Sequence, residues 1–137
     1  ILHCISAYPS KPQNYNLNFI NKLKKFNFPI GLSDHTVSNY TCLGAVALGA
    51  SILERHYTDS MDRPGPDIIC SMDSKALSEL IEGSLTIFKA RGETKTPLQE
   101  EDVTMAFAFA SVVAIEDIMK GSELTENNIW VKNLLSP

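Results

Sequence analysis

The chain has 137 residues, of which 44% are hydrophobic and 20% charged, and its formal net charge is −4. This composition is typical of about one folded soluble domain and excludes disordered, collagen-like and low-complexity chains. A pI near 5.3 without a block of Lys and Arg argues against nucleic acid as a partner. The most apolar stretch, residues 40–53, is shorter than the roughly 20 apolar residues of a spanning helix, so we expect no membrane partner.

The start of the chain and its cysteines bear on the cellular compartment. No basic segment followed by an apolar one opens the chain, so a secretory signal is not predicted. Cys4, Cys42 and Cys70 are widely spaced without a C-x-x-C pair, which supports neither a disulfide framework nor a thiolate metal site. We therefore expect reduced cysteines and a cytoplasmic location. Because residue 1 is Ile rather than Met, a fragment or processed product is also expected.

The first part of the chain alternates between short apolar strands and helices. A strand over residues 1–6 precedes a proline-containing loop, and apolar residues at a step of three predict an amphipathic helix over 16–26. Residues 28–32 predict a second strand, and a helix over 40–48 ends at Gly49. The third strand begins at Ile52 and ends in Glu54-Arg55-His56, before a long polar loop over 57–72.

A last clear helix is predicted from a cap at Asp73 or Ser74 to about Arg91, with Gly92 as its end. Its predicted buried side consists of Ala76, Leu77, Leu80, Ile81, Leu85 and Phe88. Strands that are apolar throughout and followed by helices are typical of parallel βαβ units covered on both faces. The fold class is therefore predicted to be α/β, either as part of a barrel or as a small open sheet.

The chain changes character after residue 92. Residues 93–107 are polar and predict a linker. Beyond it, a strand over 111–115, a turn at Lys120-Gly121, a helix cap at Thr125 and a strand over 129–131 are predicted, with Trp130 in a core. Chains below about 40 residues seldom fold unaided, so this tail is not expected to form a domain alone.

Two histidines carry the strongest chemical signal. His35 and His56 stand 21 residues apart, each after a predicted strand. Neighbouring parallel strands lie about 4.8 Å apart, so both imidazoles could bind one divalent ion such as Mn²⁺ or Zn²⁺. Oxygen ligands are available from Asp34, Glu54 and Asp67. Alternatively, the histidines are polar loop residues hydrogen-bonded to neighbours, and the spacing leaves both possibilities open.

Several other residues have a functional and a structural interpretation. Asp67 ends a stiff loop from Asp62 and could contact a substrate hydroxyl or metal-bound water, or the loop could simply form tight turns. Ser6 and Ser33 could donate hydrogen bonds to an anion or could satisfy backbone groups. Tyr8 could line a sugar pocket or cover the rim of the sheet.

Five motifs occur in order along the chain. They are His3-Cys4-x-Ser6-x-Tyr8-Pro9, Gly31-Leu32-Ser33-Asp34-His35-Thr36, Ala45-Val46-Ala47-Leu48-Gly49-Ala50, Leu53-Glu54-Arg55-His56 and Arg63-Pro64-Gly65-Pro66-Asp67. Together they resemble the bacterial sialic acid synthase family, which comprises N-acetylneuraminate synthases and their legionaminic acid relatives. The Arg-Pro-Gly-Pro-Asp loop resembles the sialic/legionaminic branch rather than the pseudaminic branch.

The resemblance implies the C-terminal portion of a TIM (β/α)8 barrel over residues 1–92, the linker over 93–107 and a truncated start of an antifreeze-like (SAF) domain over 108–137. It implies condensation of phosphoenolpyruvate with N-acetylmannosamine or a related 2-acetamido sugar, which gives a nine-carbon 2-keto acid and phosphate. The implied cofactor is a divalent metal, Mn²⁺, held by His35 and His56.

The resemblance also implies roles for individual side chains. Ser6 and Ser33 would lie near phosphoenolpyruvate, and Tyr8 and Asp67 on the sugar side. Glu54 and Asp67 would be the catalytic carboxylates.

The same resemblance implies a domain-swapped homodimer for the full-length family member. It places the start of this chain near the sixth barrel strand, without the family's lysine and glutamate that bind the substrates. After Lys132 the sequence continues with Asn133, where the family commonly has an arginine that reaches a partner subunit's active site. We therefore expect a fragment that is inactive alone. The alternative is a non-catalytic remnant or assembly piece that pairs with an N-terminal half.

Overall fold

The computed structural model describes residues 1–133, and residues 134–137, part of the predicted SAF segment, lie outside the described residues. The chain divides into two compact units, residues 1–93 and the residues from Thr94 onward. No helix among residues 1–133 is both long and apolar enough to cross a membrane.

The first unit alternates strands and helices. Its strands are β1 (Leu2–Cys4), β2 (Gly31–Asp34) and β3 (Ile52–Arg55), and its helices are α1 (Phe19–Leu23), α2 (Tyr40–Ala47) and α3 (Ser74–Ala90). Short 3-10 helices cover Pro12–Asn14, Lys24–Phe26 and Ile68–Cys70. The strands pair in parallel in the order β1-β2-β3, which confirms the predicted α/β class with a parallel sheet.

The helices cover one face of this sheet. The core on that face joins Leu32 of β2 to Ile20 of α1, Cys42 of α2 and Leu80 of α3. Parallel connections of the usual right hand place successive helices on the same side of a sheet. On the other face Leu2 and Ile52 are exposed. The prediction that both faces are covered is therefore wrong for the described first unit.

Local signals set the start of α3 and the ends of α2 and α3 as predicted, because these signals depend on neighbouring residues. Asp73 accepts a hydrogen bond from the Ala76 N–H at 2.8 Å and starts α3. Gly49 and Gly92 follow α2 and α3 with φ of 103° and 48°, a region that glycine enters without steric cost.

The predicted boundaries of the other elements differ from the structure. The helix predicted over 16–26 is shorter, because Asn16 adopts φ 45° and α1 begins only at Phe19. A 3-10 turn follows α1 and ends at Asn27, with φ 56°. The strand predicted over 28–32 is shifted to 31–34, and Phe28 is exposed. The loop over 57–72 contains a parallel bridge between Tyr57 and Met72.

The predicted buried side of α3 is correct only near its start. Leu80 is buried and packs in the core, whereas Ile81, Leu85 and Phe88 are exposed. The second half of α3 lines an apolar groove of about 540 Å³ together with Leu53 and Ala50. The apolar stripe of this helix therefore extends beyond the surface that α2 and the sheet offer it.

The second unit contains a 3-10 helix (Gln99–Glu101), α4 (Asp102–Ala108) and the antiparallel strands β4 (Ser111–Ala114) and β5 (Ile129–Lys132). Part of the predicted linker is thus helical. Thr125 begins a turn rather than a helix, since Asn128 Oδ1 accepts from its N–H at 2.8 Å. Trp130 is exposed, so its predicted place in a core is wrong for a two-stranded sheet.

Candidate active site

His35 and His56 lie side by side at the carboxyl edge of the parallel sheet. The pairing of Asp34 with Arg55 places the two following residues next to each other. Their ring centroids are 5.2 Å apart and the rings are nearly perpendicular, at 87°. Tyr8 closes the group, with its ring centroid 4.1 Å from that of His35 and 5.6 Å from that of His56. Three of the predicted site residues therefore meet at one place.

His35 is buried and its orientation is fixed by the segment after β1. Its Nδ1 lies 2.9 Å from the carbonyl oxygen of Ile5. That carbonyl can only accept a hydrogen bond, so the proton of neutral His35 resides on Nδ1 and the lone pair on Nε2. The structure thus presents Nε2 as the free ring nitrogen of this residue.

His56 has a similar arrangement with a carboxylate in place of the carbonyl. Its Nδ1 lies 3.7 Å from Asp67 Oδ2, and both side chains are partly exposed. Within the loop that carries Asp67, the Ser71 hydroxyl donates a hydrogen bond to the Asp67 carbonyl at 2.8 Å. Asp67 therefore lies beside His56, on the side of the ring away from Nε2.

Ser33 and Glu54 form a second pair on the adjacent part of the sheet. They are register partners on β2 and β3, and the Ser33 hydroxyl donates to Glu54 Oε1 at 2.6 Å. Because side chains alternate along a strand, this pair lies on the face opposite the helices. Ser6 contacts Cys4, the register partner of Ser33 on β1, with its Oγ 3.8 Å from Cys4 Sγ.

Asp34 does not supply a metal ligand, contrary to the sequence-based suggestion. Its side chain is fully buried on the helix side, where Thr36 and Thr41 donate hydroxyl hydrogen bonds to Oδ2 at 2.9 and 2.8 Å. Arg55 Nε lies 3.4 Å from the same oxygen without hydrogen-bond geometry, so the two form a Coulombic ion pair. Strand alternation explains the direction, because Asp34 and Ser33 must face opposite sides of β2.

The sequence analysis missed Tyr15, which contacts two site residues. Its hydroxyl donates to the Ser33 carbonyl at 3.3 Å and accepts from the His35 N–H at 2.6 Å. Burial raises the pKa of the Tyr15 phenol far above its ordinary value, so it keeps its proton. Tyr15 lies in an irregular loop, where no periodicity or motif points to a buried role.

Comparisons with known proteins place the chain in a family. Residues 1–96 match the model of the NeuB family. The chain belongs to the NeuB family. It is 37% identical to pseudaminic acid synthase of Helicobacter pylori over 94% of this chain and 38% of that protein. It is 35% identical to N,N'-diacetyllegionaminic acid synthase of Campylobacter jejuni over 96% of this chain and 40% of that protein.

A solved structure supports the same assignment. The crystal structure of N-acetylneuraminic acid synthetase from Leptospira borgpetersenii, in complex with citrate, matches with a TM-score of 0.68 and 40% identity. The match covers 76% of this chain and 37% of that one. The chain thus spans about two fifths of the length of these relatives. Since relatives of both branches have similar identity, the predicted sialic/legionaminic preference stays a prediction.

The donor set of this NeuB-family chain fits a divalent ion in one respect. Ligating histidines usually give their second ring nitrogen to a carbonyl or carboxylate. His35 Nδ1 is within hydrogen-bond distance of the Ile5 carbonyl, whereas His56 Nδ1 has the Asp67 carboxylate nearby, at 3.7 Å. Both Nε2 atoms are then available to a metal. Within residues 1–133, however, no group of three or more His, Cys, Asp or Glu side chains could hold an ion. Any remaining ligands would come from outside the described residues, for example from water or substrate.

Proposed function

We propose that this chain carries part of the active site of a synthase that condenses phosphoenolpyruvate with an acylamino sugar. The sugar would be N-acetylmannosamine or a related 2-acetamido sugar, and the products a nine-carbon 2-keto acid and phosphate. The observation that carries the proposal is the convergence of His35, His56 and Tyr8 at one edge of the parallel sheet. Ser33 and Glu54, two residues before the histidines, form a hydrogen-bonded pair beside them. Membership of the NeuB family and the synthases among its relatives support this reaction class.

The proposal includes a barrel. The first unit would be the C-terminal portion of a TIM barrel over residues 1–92, with 93–107 as linker and 108–137 as the start of an SAF domain. Helices on one sheet face and the polar Ser33–Glu54 pair on the other support this, because barrel strands bury one face under helices and turn the other inward. A domain-swapped homodimer and a cytoplasmic location belong to the same proposal, and free thiols at Cys4, Cys42 and Cys70 support the latter.

His35 and His56 would hold Mn²⁺ or a similar ion through their Nε2 atoms. When bound, such an ion would act as a Lewis acid on the carbonyl of the open-chain sugar. The Ile5 carbonyl would keep His35 in the tautomer that leaves Nε2 unprotonated, and Asp67 would do the same for His56. Tyr8, whose ring lies against both imidazoles, would cover them on the side where the sugar binds.

Ser33 and Glu54 would act in sequence. A hydroxyl can donate one hydrogen bond, and in the free protein Ser33 donates it to Glu54. If anionic phosphoenolpyruvate bound at Ser33, it would accept the hydroxyl's hydrogen bond in place of Glu54. The Glu54 carboxylate would then have no hydrogen-bond donor at Ser33. Once the methylene carbon of phosphoenolpyruvate has bonded to the sugar carbonyl carbon, Glu54 would be able to accept a proton from the water that adds to the phosphate-bearing carbon. Phosphate would then leave from that carbon as its new hydroxyl becomes the keto group. Ser6 would add a further contact to phosphoenolpyruvate, and Asp67, beside His56, would contact a sugar hydroxyl.

A second candidate function is a non-catalytic assembly piece that pairs with an N-terminal half. The exposed apolar side chains Ile81, Leu85 and Phe88 on α3 favour it, because contiguous exposed apolar surface commonly marks an interaction site. The two candidates differ in whether mixing restores catalysis.

The test measures phosphate release from phosphoenolpyruvate and N-acetylmannosamine with Mn²⁺. It uses this chain alone and this chain mixed with the N-terminal portion of a full-length NeuB-family relative. Release that needs both substrates supports the synthase, and no release in any mixture, beside an active full-length control, overturns it in favour of the assembly piece.

A second measurement tests the proposed ligands without turnover. We expect the His35→Ala/His56→Ala double variant to lose Mn²⁺ binding in a calorimetric titration. Glu82→Gln is the control, since it removes a possible metal ligand from an exposed position on α3 outside the candidate site. Equal Mn²⁺ affinity in the double variant and the unmodified chain would refute the site.

A further inference from the structure

The segment between β1 and α1 holds His35 at three of its polar atoms. The Ile5 carbonyl contacts Nδ1 at 2.9 Å, and the Ser10 N–H donates to the His35 carbonyl at 2.9 Å. The Tyr15 hydroxyl accepts from the His35 N–H at 2.6 Å. Nε2 is thus the remaining polar atom of His35 that is open to a ligand.

Tyr15 is itself held from two sides. Its N–H donates to the Pro12 carbonyl at 3.1 Å, which closes the 3-10 turn over Pro12–Asn14. Its carbonyl oxygen lies 2.5 Å from His3 Nε2, and the rings of His3 and Tyr15 meet edge to face. With no exposed surface, the phenol has a single position beneath the end of β2.

That position bridges the two halves of the site. The hydroxyl spans the Ser33 carbonyl and the His35 N–H, which are separated by Asp34 where β2 ends. Beyond the strand, the His35 N–H is no longer part of the sheet's hydrogen-bond ladder, and a buried N–H without an acceptor is unfavourable. A phenol that keeps its proton satisfies this donor with its lone pair while its O–H satisfies Ser33.

We propose that Tyr15 is a positioning residue that sets the place of His35 Nε2 relative to Ser33. It touches neither substrate nor metal and acts through the backbone of the two residues that would. The expected effect on metal binding rests on the proposed function. The positioning of His35 rests on the hydrogen bonds around Tyr15. Its alternative is that Tyr15 only fills space in the core, where it belongs to the same hydrophobic cluster as Leu32 and Ile20.

Tyr15→Phe separates these roles because it keeps the ring and removes the hydroxyl. Tyr40→Phe is the matched control, since it deletes the same hydroxyl from a tyrosine that is 80% exposed. Leu80→Val is the control for general loss of stability, because Leu80 is a core residue outside the candidate site.

The first readout is amide hydrogen exchange without metal. In Tyr15→Phe we expect exchange at the His35 amide to rise about tenfold relative to the other amides of β2, since one hydrogen bond is lost locally. Leu80→Val should raise exchange across the first unit without singling out His35, and Tyr40→Phe should leave it unchanged. Unchanged relative exchange at His35 in Tyr15→Phe would overturn the mechanism.

The second readout is Mn²⁺ affinity. We expect Tyr15→Phe to bind Mn²⁺ about tenfold more weakly, within the range for residues that orient ligands, while both controls bind as the unmodified chain does. Full affinity in Tyr15→Phe beside a binding unmodified chain overturns the inference and leaves the proposed function standing. If the unmodified chain binds no Mn²⁺, the proposed metal site fails, and the exchange measurement alone then decides whether Tyr15 fixes His35.

Discussion

Replacing Arg55 with methionine removes one side of a buried ion pair and leaves the other in place. The side chains of Arg55 and Asp34 are 1% and 0% exposed, so neither charge is solvated by water. The guanidinium also donates to Asn39 Oδ1 at 2.5 Å and to the Thr36 carbonyl at 2.7 Å. Methionine has a similar volume but no donor, so Arg55→Met tests the charge and hydrogen bonds rather than the packing.

We expect Arg55→Met to lower the free energy of unfolding by about 3 kcal/mol. Breaking a buried pair by removing one partner typically costs about 3–5 kcal/mol. The lower end applies because Asp34 keeps hydroxyl donors from Thr36 and Thr41 at 2.9 and 2.8 Å, which continue to stabilise its charge. Since domains are stable by about 5–15 kcal/mol, this loss is a large fraction of the total.

Urea unfolding followed by far-UV circular dichroism measures the loss, since α1, α2 and α3 contribute most of the helical signal of the first unit. Lys75→Met is the control, because it removes an exposed positive charge from α3 and should change stability by less than about 0.5 kcal/mol. The double variant Asp34→Asn/Arg55→Met should be more stable than Arg55→Met by about 1 kcal/mol, because no unpaired charge remains. A loss below 1 kcal/mol in Arg55→Met, or a double variant that loses the sum of both single changes, would refute the role assigned to the pair.

Two further predictions concern the sheet and its pH dependence. Gly31→Ala should destabilise the first unit by about 1–3 kcal/mol or prevent folding, because the added Cβ would overlap the Ile52 carbonyl oxygen; a stable variant in the same urea assay would contradict the strand spacing. Burial and the Asp34 charge raise the pKa of the Cys42 thiol, so above about pH 9 the unfolded chain releases a proton that the folded chain keeps. The contribution of this thiol to the free energy of unfolding should be fully present below that pH and should fall above it by up to about 1.4 kcal/mol per pH unit. Unfolding curves at pH 8 to 10 should show a smaller slope of stability against pH for Cys42→Ala, and equal slopes would contradict the burial of the thiol.

The helix ends were predictable because their causes are local. The cap of α3 needs only Asp73 and the Ala76 amide three residues on, and its end needs only a residue such as Gly92 that tolerates positive φ. The apolar period of α3 predicted a buried stripe, but burial also needs a surface opposite. Ile81 and Phe88 have no such surface in the first unit, and a sequence pattern alone does not reveal that.

The boundary of β2 was not predictable by the same reasoning, because its polar residues have distant partners. The predicted strand ends at residue 32, yet Ser33 and Asp34 lie in β2, where they contact Glu54 and Arg55, 21 residues later. Tyr15 is a similar case, because its importance comes from where the loop brings its hydroxyl.

One register accounts for the whole candidate site. The spacing of 21 residues pairs Ser33 with Glu54 on one face of the sheet and Asp34 with Arg55 on the other, and it brings His35 next to His56 beyond the strand ends. If β3 slipped by one residue along β2, Arg55 would face the side of the sheet opposite Asp34, and the two histidines would separate. All three pairs therefore favour the same register. The buried ion pair on the helix side and the two histidines at the edge are therefore consequences of one alignment. For this reason, changes at Asp34 or Arg55, which contact no substrate in the proposed mechanism, should weaken Mn²⁺ binding in proportion to how far they let β3 move along β2.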